Sequence, residues 1–509
     1  MYARIARMMT FAAALLLFAA PASAAKFSLV EVRAASTPFL RLTGAQELSP
    51  GLGLWRIPSR ELRQLRSAGL VRRAEPEHTF VPEERAVDPL LANEWWLAAV
   101  GATKVVAPGP GVPVVVVDTG LDFSHPEFAA RPDTTGLNSQ SVVDTRVDFH
   151  GTAVASIIGA PVNDVGMVGV YPQAVLAEYD ADLVGAFTAG QLIQGIEAAT
   201  TRGRVVINIS VGSTYLDPLL RDEIFSAFRR GALVVAAAGN SGPNGLLNYP
   251  ADLPHVLTVG ATDSRGVPAD FSSASEGVDL AAPGVGITAA VPLLYTTDGY
   301  QSLDGTSFSA PIVSGAAALV WTVRGDLDNT QLFDLLRFSA RDVWTRGFDT
   351  ETGFGILDIP SALAREEPVR DAQEPNDDVR LVKPGGLFPS GSPPLTTRTT
   401  ARASLRATLD VTEDPADLYR LWVPAHHHVT VTARSMPSVR VRVWRPGTQS
   451  ISETARAAKR DLAASGTTRA IAVNGSSRGD YYYVDVNLAH GVGNGSYDLT
   501  VTTSAGAKP

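Results

Sequence analysis

Four short segments carry residue types that could together perform nucleophilic chemistry. They are Val117-Asp118-Thr119-Gly120, His150-Gly151-Thr152, Ala238-Gly239-Asn240 and Gly305-Thr306-Ser307-Phe308-Ser309-Ala310-Pro311. A serine hydroxyl attacks poorly until a base takes its proton and a third group orients that base. An imidazole and a carboxylate fill those two roles, and an asparagine amide can donate to an oxyanion. Each residue alone has a plainer use: Ser307 as a helix cap, Asp118 and Asn240 in turns, His150 as an ordinary core or surface histidine. Their joint occurrence, each at the edge of an expected strand or helix, points to acyl transfer of the kind serine peptidases perform.

The elements around these residues support that chemistry. Val112 to Val117 is a β-branched run ending at Asp118; Val205 to Ile209 ends at Ser210, and Ala232 to Ala238 ends at Gly239-Asn240. Runs that are apolar throughout suit strands buried on both faces of a parallel sheet. Helical patterns lie between them, over Thr152 to Ile158, Gly190 to Thr200 and Pro218 to Arg230. The alternation implies an α/β doubly wound, mostly parallel sheet, whose sites form beyond the carboxyl ends of the strands. Phe308 to Val323 reads as a helix apolar all round, hence central and buried. Its start places Ser307 at the positive end of a helix dipole, with Pro311 expected in the first turn.

Composition narrows the class. The chain has 509 residues, a formal net charge of -9, 45% apolar and 19% charged residues, and no cysteine. That length holds two or three domains, and the balance offers no basic face for nucleic acid. The absence of cysteine excludes a disulfide framework, a thiol nucleophile and Cys-ligated metal sites. At the N-terminus, Arg4 and Arg7, the apolar run Phe11 to Ala20 and Ala22-Ser23-Ala24 form a secretory signal over residues 1–24. The expected product is secreted, extracellular or periplasmic, with no membrane attachment once the signal is removed.

Residues 25–88 read as a small α+β unit: a strand from Gly53 to Pro58, a helix capped by Ser59 and closed by Gly69, and a strand from Val71 to Val81. Such a module between a signal and an enzyme core is expected to be a prodomain. Residues 89–365 form the expected catalytic domain and 366–400 a Pro-containing linker. Residues 401–509 show short strands with Gly and Asn turns, the pattern of an all-β sandwich.

The order Asp, His, Ser is that of subtilisins and differs from chymotrypsin and the α/β-hydrolases. The segments Asp118-Thr119-Gly120, His150-Gly151-Thr152-Ala153-Val154-Ala155 and Gly305-Thr306-Ser307 resemble the three signatures of subtilisin-family (subtilase) serine peptidases. Ser124-His125-Pro126, Tyr249-Pro250-Ala251 and Gly353-Phe354-Gly355 extend the likeness over roughly Pro89 to Ala364. The resemblance implies a serine endopeptidase in which Asp118 orients, His150 acts as base and acid, and Ser307 attacks. It also implies an oxyanion hole of Asn240 and the Ser307 N–H, and P1-pocket walls of Ser210, Val211 and Gly212 with Ala238 and Gly239. Phe308 and Ser309 stand where the family more often has Met and Ala, and Asp304 where it varies.

Residues 25–88 are loosely similar to the family's inhibitory prodomains, which implies an intramolecular inhibitor. From near 371 the tail resembles the bacterial pre-peptidase C-terminal domain, through Glu374-Pro375-Asn376-Asp377, Asp417-Leu418-Tyr419 and Tyr482 to Val486. The implied partners are protein or peptide substrates and the chain's own prodomain. No cofactor is required; calcium is common in the family, but no ligand spacing here is diagnostic, Asp122 and Asp164 included. His426-His427-His428 would point to alternate faces of a strand and so converge poorly on one ion. The competing class is a catalytically silent surface or binding protein of the same fold, which loss of a catalytic residue would mark. A lipase would need Gly at the position of Ser309, and sedolisin-type chemistry would not need His150.

Overall fold

The β-branched runs form the middle of a seven-stranded parallel sheet, as expected for strands buried on both faces. The computed structural model describes residues 27–32, 40, 45–77, 88–138, 149–182, 187–246, 248–371, 373–435, 439–451, 457–459, 462–464, 467–490 and 493–506. The signal segment and the stretch 78–87, with the end of the strand expected there, lie outside them. The chain divides into two compact units, 1–85 and 86–509.

In the first unit, β1 (Phe27–Val32), β2 (Gln46–Ser49), β3 (Leu54–Pro58) and β4 (Val71–Pro76) pair in the order β2-β3-β1-β4, β1 lying antiparallel to both β3 and β4. The helix α1 (Leu62–Ser67) buries Leu65 in a core of Val30, Trp55 and Ile57. Ser59 does not cap it. It begins a 3₁₀ turn, and its hydroxyl lies 3.0 Å from that of Ser28 across the sheet, so it is not offered to the helix.

The second unit opens with the short helix α2 (Trp95–Ala99) and builds its main sheet from β5 (Val114–Asp118), β6 (Thr134–Gly136), β7 (Leu176–Asp180), β8 (Val205–Ile209), β9 (Ala232–Ala237), β10 (Val256–Thr262) and β11 (Leu280–Pro283). The order is β11-β10-β9-β8-β5-β7-β6, every pair parallel. Val114 and Val116 face α3 (His150–Gly159) and α6 (Thr306–Val323) on one side. Val115 and Val117 face α4 (Ala189–Thr200) and α5 (Pro218–Arg229) on the other. Two cores, one per face, are why the strands show no polar alternation. Among the described residues α6 is the one helix long and apolar enough to cross a membrane, and it is buried in the first of these cores.

The hairpin β12 (Ile287–Ala290) and β13 (Tyr300–Leu303) leads into α6, followed by α7 (Asn329–Phe338) and α8 (Ile359–Ala364). The tail adds α9 (Val379–Val382) and strands β14 (Arg402–Asp410), β15 (Ala416–Val423), β16 (His427–Ser435), β17 (Val439–Trp444), β18 (Ala457–Lys459), β19 (Leu462–Ala464), β20 (Thr467–Val473), β21 (Asp480–Leu488) and β22 (Asn494–Ala505). They form two antiparallel sheets, β14-β22-β16-β20-β19 and β15-β21-β17-β18, packed over a shared core that includes Leu409, Val431, Val484 and Val501. Val379 and Val382 of α9 pack on Leu418, Trp444 and Tyr483.

Candidate active site

Asp118 closes β5, between β7 and β8, and is fully buried. His150 is the first residue of α3 and presents Nδ1 to Asp118 Oδ1 at 2.7 Å. The same oxygen accepts the Thr119 N–H at 2.8 Å. Thr119 Oγ1 in turn accepts the N–H of Gly151, so one turn fixes both the carboxylate and the helix that carries the imidazole. Burial alone would lower the His150 pKa, but the charge of Asp118 and its hydrogen bond outweigh that and hold it above 6.5.

Ser307 is the second residue of α6, which begins two residues earlier than its sequence suggests. The N-cap is Gly305, at φ +152°, a conformation L side chains rarely adopt. Ser307 Oγ donates to the carbonyl of Ser210 at 3.1 Å, and Ser210 Oγ donates back to the Ser307 carbonyl at 3.0 Å. Pro311 lies deeper than the first turn, and this placement has a use. Its missing N–H leaves the Ser307 carbonyl without its i+4 donor, free to accept Ser210. Phe308 is buried with its ring 5.6 Å from that of His150, and Ser309 donates to the carbonyls of Ala282 and Pro283. Asp304 Oδ1 accepts the Gly286 N–H.

Asn240 follows β9. Its Oδ1 accepts both the N–H and the hydroxyl of Thr306 at 3.0 Å, and Gly239 N–H donates to that hydroxyl. With the oxygen engaged, Nδ2 is the free end of the amide, 3.7 Å from a Cβ built on Gly305. Ala238 is buried, and Gly239 takes φ +106°. Added Cβ atoms at Gly212 and Gly239 would both meet Asn248, at 2.3 and 3.2 Å, so these glycines keep open a space walled by that amide. Val211 and Gly212 border a neighbouring pocket of about 190 Å³ with Phe187, Tyr215, Leu220 and Tyr249.

The structure thus brings Asp118 to His150, Ser307 to Ser210, and Asn240 to the turn before Ser307. It directs Ser307 Oγ at Ser210 O in place of His150. Sequence reasoning missed Thr119, Thr306 and Asn208. Asn208 donates to Ser210 Oγ and accepts from Ser314, anchoring the strand end to α6. Their partners lie up to 106 residues away, beyond any local pattern. Glu178 was missed as well: burial first, then the charges of Asp118 and Asp180, push its carboxyl well above the usual range.

Buried carboxylates also support the loop 163–168. Asp88, Glu94 and Glu127 accept backbone N–H groups from the loop 163–168, and burial raises Glu94 to about 8 and Glu127 to about 7. Asp371, Glu374, Asp414 and Asp417 form a group whose ligand oxygens lie within 4.8 Å of one another and could hold a metal ion. His427 and His428 face Ala425 O and Ser504 respectively.

The subtilase family matches residues 109–355. An alkaline protease of Alkalihalobacillus alcalophilus is 34% identical over 299 residues, covering 57% of this chain and 74% of that protein. The chain belongs to the subtilase family. Subtilisin Savinase of Lederbergia lenta is 36% identical over 273 residues, 52% of this subtilase and 97% of its relative. Among solved structures, the subtilisin-like protease Apa1 from Pseudoalteromonas sp. AS-11 is similar at 20% identity and TM-score 0.48, over 53% of this chain and 97% of that one. This subtilase is a serine endopeptidase with the fold of its family, extended by antiparallel sheets at the C-terminus.

Proposed function

We propose that the chain is a secreted endopeptidase that hydrolyses peptide bonds through an acyl-enzyme, with Ser307 as nucleophile, His150 as base and acid, and Asp118 as orienting carboxylate. The observation that carries this reading is the 2.7 Å contact of His150 Nδ1 with buried Asp118, which leaves Nε2 as the nitrogen available to take a proton. For attack, the Ser307 hydroxyl leaves the Ser210 carbonyl and gives its proton to His150 Nε2 as Oγ bonds the scissile carbonyl carbon. The developing oxyanion meets Asn240 Nδ2 and the Ser307 N–H, at the positive end of α6. Loss of one such donor costs about 10²–10³ in turnover. His150 then protonates the leaving amine, and water releases the acyl group by the same route.

Ser210, Val211 and Gly212, facing Ala238 and Gly239, wall the P1 side chain, while the peptide backbone pairs along the strand edge. Asn248 at the wall and the absence of charge from Gly242 to Tyr249 favour an apolar or uncharged P1 residue. Cleavage of a peptide library should show that preference, and a strong choice of Lys or Arg would refute it. Secretion rests on the N-terminal signal pattern, and residues 25–88 act as the intramolecular inhibitor before maturation.

The deciding experiment is Ser307→Ala. Peptide hydrolysis should vanish, the 25–88 segment should remain attached, and an organophosphorus label should no longer map to the peptide containing residue 307. An active, processed variant would end the proposal.

A further inference from the structure

Beyond the walls proposed for the P1 residue, the concave surface continues. The chain from Ser210 onward leads away from Ser307, and the pocket of about 190 Å³ bordered by Val211 and Gly212 comes first along it. Tyr249 lines that pocket and also a second one, of about 390 Å³. The backbones of Ser213 and Tyr249 exchange hydrogen bonds at 2.8 and 2.7 Å, so the two pockets share one hydrogen-bonded wall. Leu216 enters the second pocket, one residue after Tyr215 of the first. Its other apolar walls are Phe225 of α5, Leu253 and Pro254 before β10, and Leu381 with Leu387 from α9 and the turn after it.

Most charged groups around this second pocket are already engaged. Arg221 pairs with Asp222 at 2.8 Å. Asp252 accepts the Asn248 N–H and the Ser275 hydroxyl. Asp378 accepts the Arg380 N–H at the start of α9 and the Ser450 hydroxyl, and Asp377 lies 3.3 Å from His255. What the pocket offers a ligand is therefore mainly apolar surface. The wall supplied by α9 is also fixed in place. Arg229, the last residue of α5, donates to Leu381 O at 3.1 Å, and its guanidinium lies 4.9 Å from the centre of the Phe388 ring.

We propose that this second pocket is a substrate subsite, part of it built by α9, that takes an apolar side chain lying more than four residues before the scissile bond. The inference rests on the reading above of Ser210 to Gly212 as the P1 wall. With the acyl side of the peptide paired along that edge, its N-terminal residues run on past Ser213 toward Leu216. An extended peptide advances about 3.3 Å per residue, so it needs several residues to pass the first pocket and reaches the second beyond P4. Contacts made there are remote from the reacting bond, and their binding energy raises kcat/KM for long substrates over short ones. The tail then acts in choosing substrates, through Leu381 and Leu387.

The test uses the active enzyme with its tail attached and a series of internally quenched peptides. All share one sequence from P4 to P2′ and are lengthened one residue at a time from P5 to P8, with Leu or Ser at each added position. Leu at one of these positions should raise kcat/KM about tenfold, the scale of one apolar side chain buried in part, and Ser should not. Leu387→Ser and Leu216→Ser should each abolish that gain while hydrolysis of the P4-length peptide stays unchanged. Leu216 is 36% exposed, so its replacement leaves the core intact. A P4-length peptide that is cleaved at a rate no longer peptide improves would overturn the subsite and leave the peptidase reading standing. A P4-length peptide that is not cleaved at all would end that reading and the subsite with it. A gain that survives both substitutions would place the contact elsewhere and overturn the proposal. If both variants fail to fold, the parent series decides: rates indifferent to residues beyond P4 reject it.

Discussion

His150 sits where burial and an adjacent carboxylate act in opposite directions, and the carboxylate wins. Catalysis needs the neutral imidazole, so a raised pKa moves the acid limb of the pH profile upward. The proposed roles therefore predict that kcat/KM falls tenfold per pH unit below a midpoint lying above 6.5. Replacing Asp118 by Asn removes the charge and leaves burial acting alone. The His150 midpoint then drops below 6.5, while turnover falls by about 10⁴. Kinetics from pH 5 to 9, with an NMR titration of the variant's imidazole, check both statements; a parent midpoint at or below 6.5 contradicts them. Burial, with the charges of Asp118 and Asp180, also pushes the neighbouring Glu178 carboxyl well above the usual range.

At the scale of elements, the site depends on where β5 ends and α3 and α6 begin. Gly151 is the tightest of these joints: a Cβ there would fall 2.2 Å from Gly120 O and 3.1 Å from Glu178 Oε1. Backbone cannot yield as a flexible side chain would, so Gly151→Ala pushes the start of α3 away from Asp118. The expected result is a loss of about 10² in kcat, the scale of a 1 Å misplacement, with destabilisation of about 1–3 kcal/mol. Steady-state kinetics and denaturant melts would measure it, and an unchanged kcat would show that α3 is not held as described. These elements were largely legible, because continuous apolar runs and strand-end motifs are local signals. Val205 to Ile209 needed no adjustment as a strand, and α3, α4 and α5 moved by at most two residues at an end. What stayed hidden depends on partners distant in the chain: the Thr306 clamp on Asn240, the reciprocal Ser210–Ser307 pair, and the use of Pro311 to free a carbonyl. The Ser59 hydroxyl went to Ser28 for the same reason.

At the scale of the molecule, one buried guanidinium joins the elements around the parallel sheet to the antiparallel sheets of the tail. Arg337, on α7 and 4% exposed, lies 2.9 Å from Asp334, 3.5 Å from Asp279 before β11, and 3.5 Å from Asp410 at the end of β14. Burial raises Asp279 to about 7 even with the arginine beside it. Substituting Met at 337 keeps most of the packing against Phe333, Phe338 and Phe354 but strands three carboxylates. Breaking a buried pair this way costs about 3–5 kcal/mol. The sign of its pH dependence follows from linkage. Stranded carboxyls have folded pKa values far above their unfolded ones, so the native state binds the extra protons. Stability is retained at low pH and lost as pH rises through the folded pKa. Denaturant unfolding of Arg337→Met in the Ser307→Ala background should therefore show a small deficit at pH 5 and the full one at pH 8. An equal deficit at both would mean that the cost is packing, and that α7 and β14 are not joined through this charge.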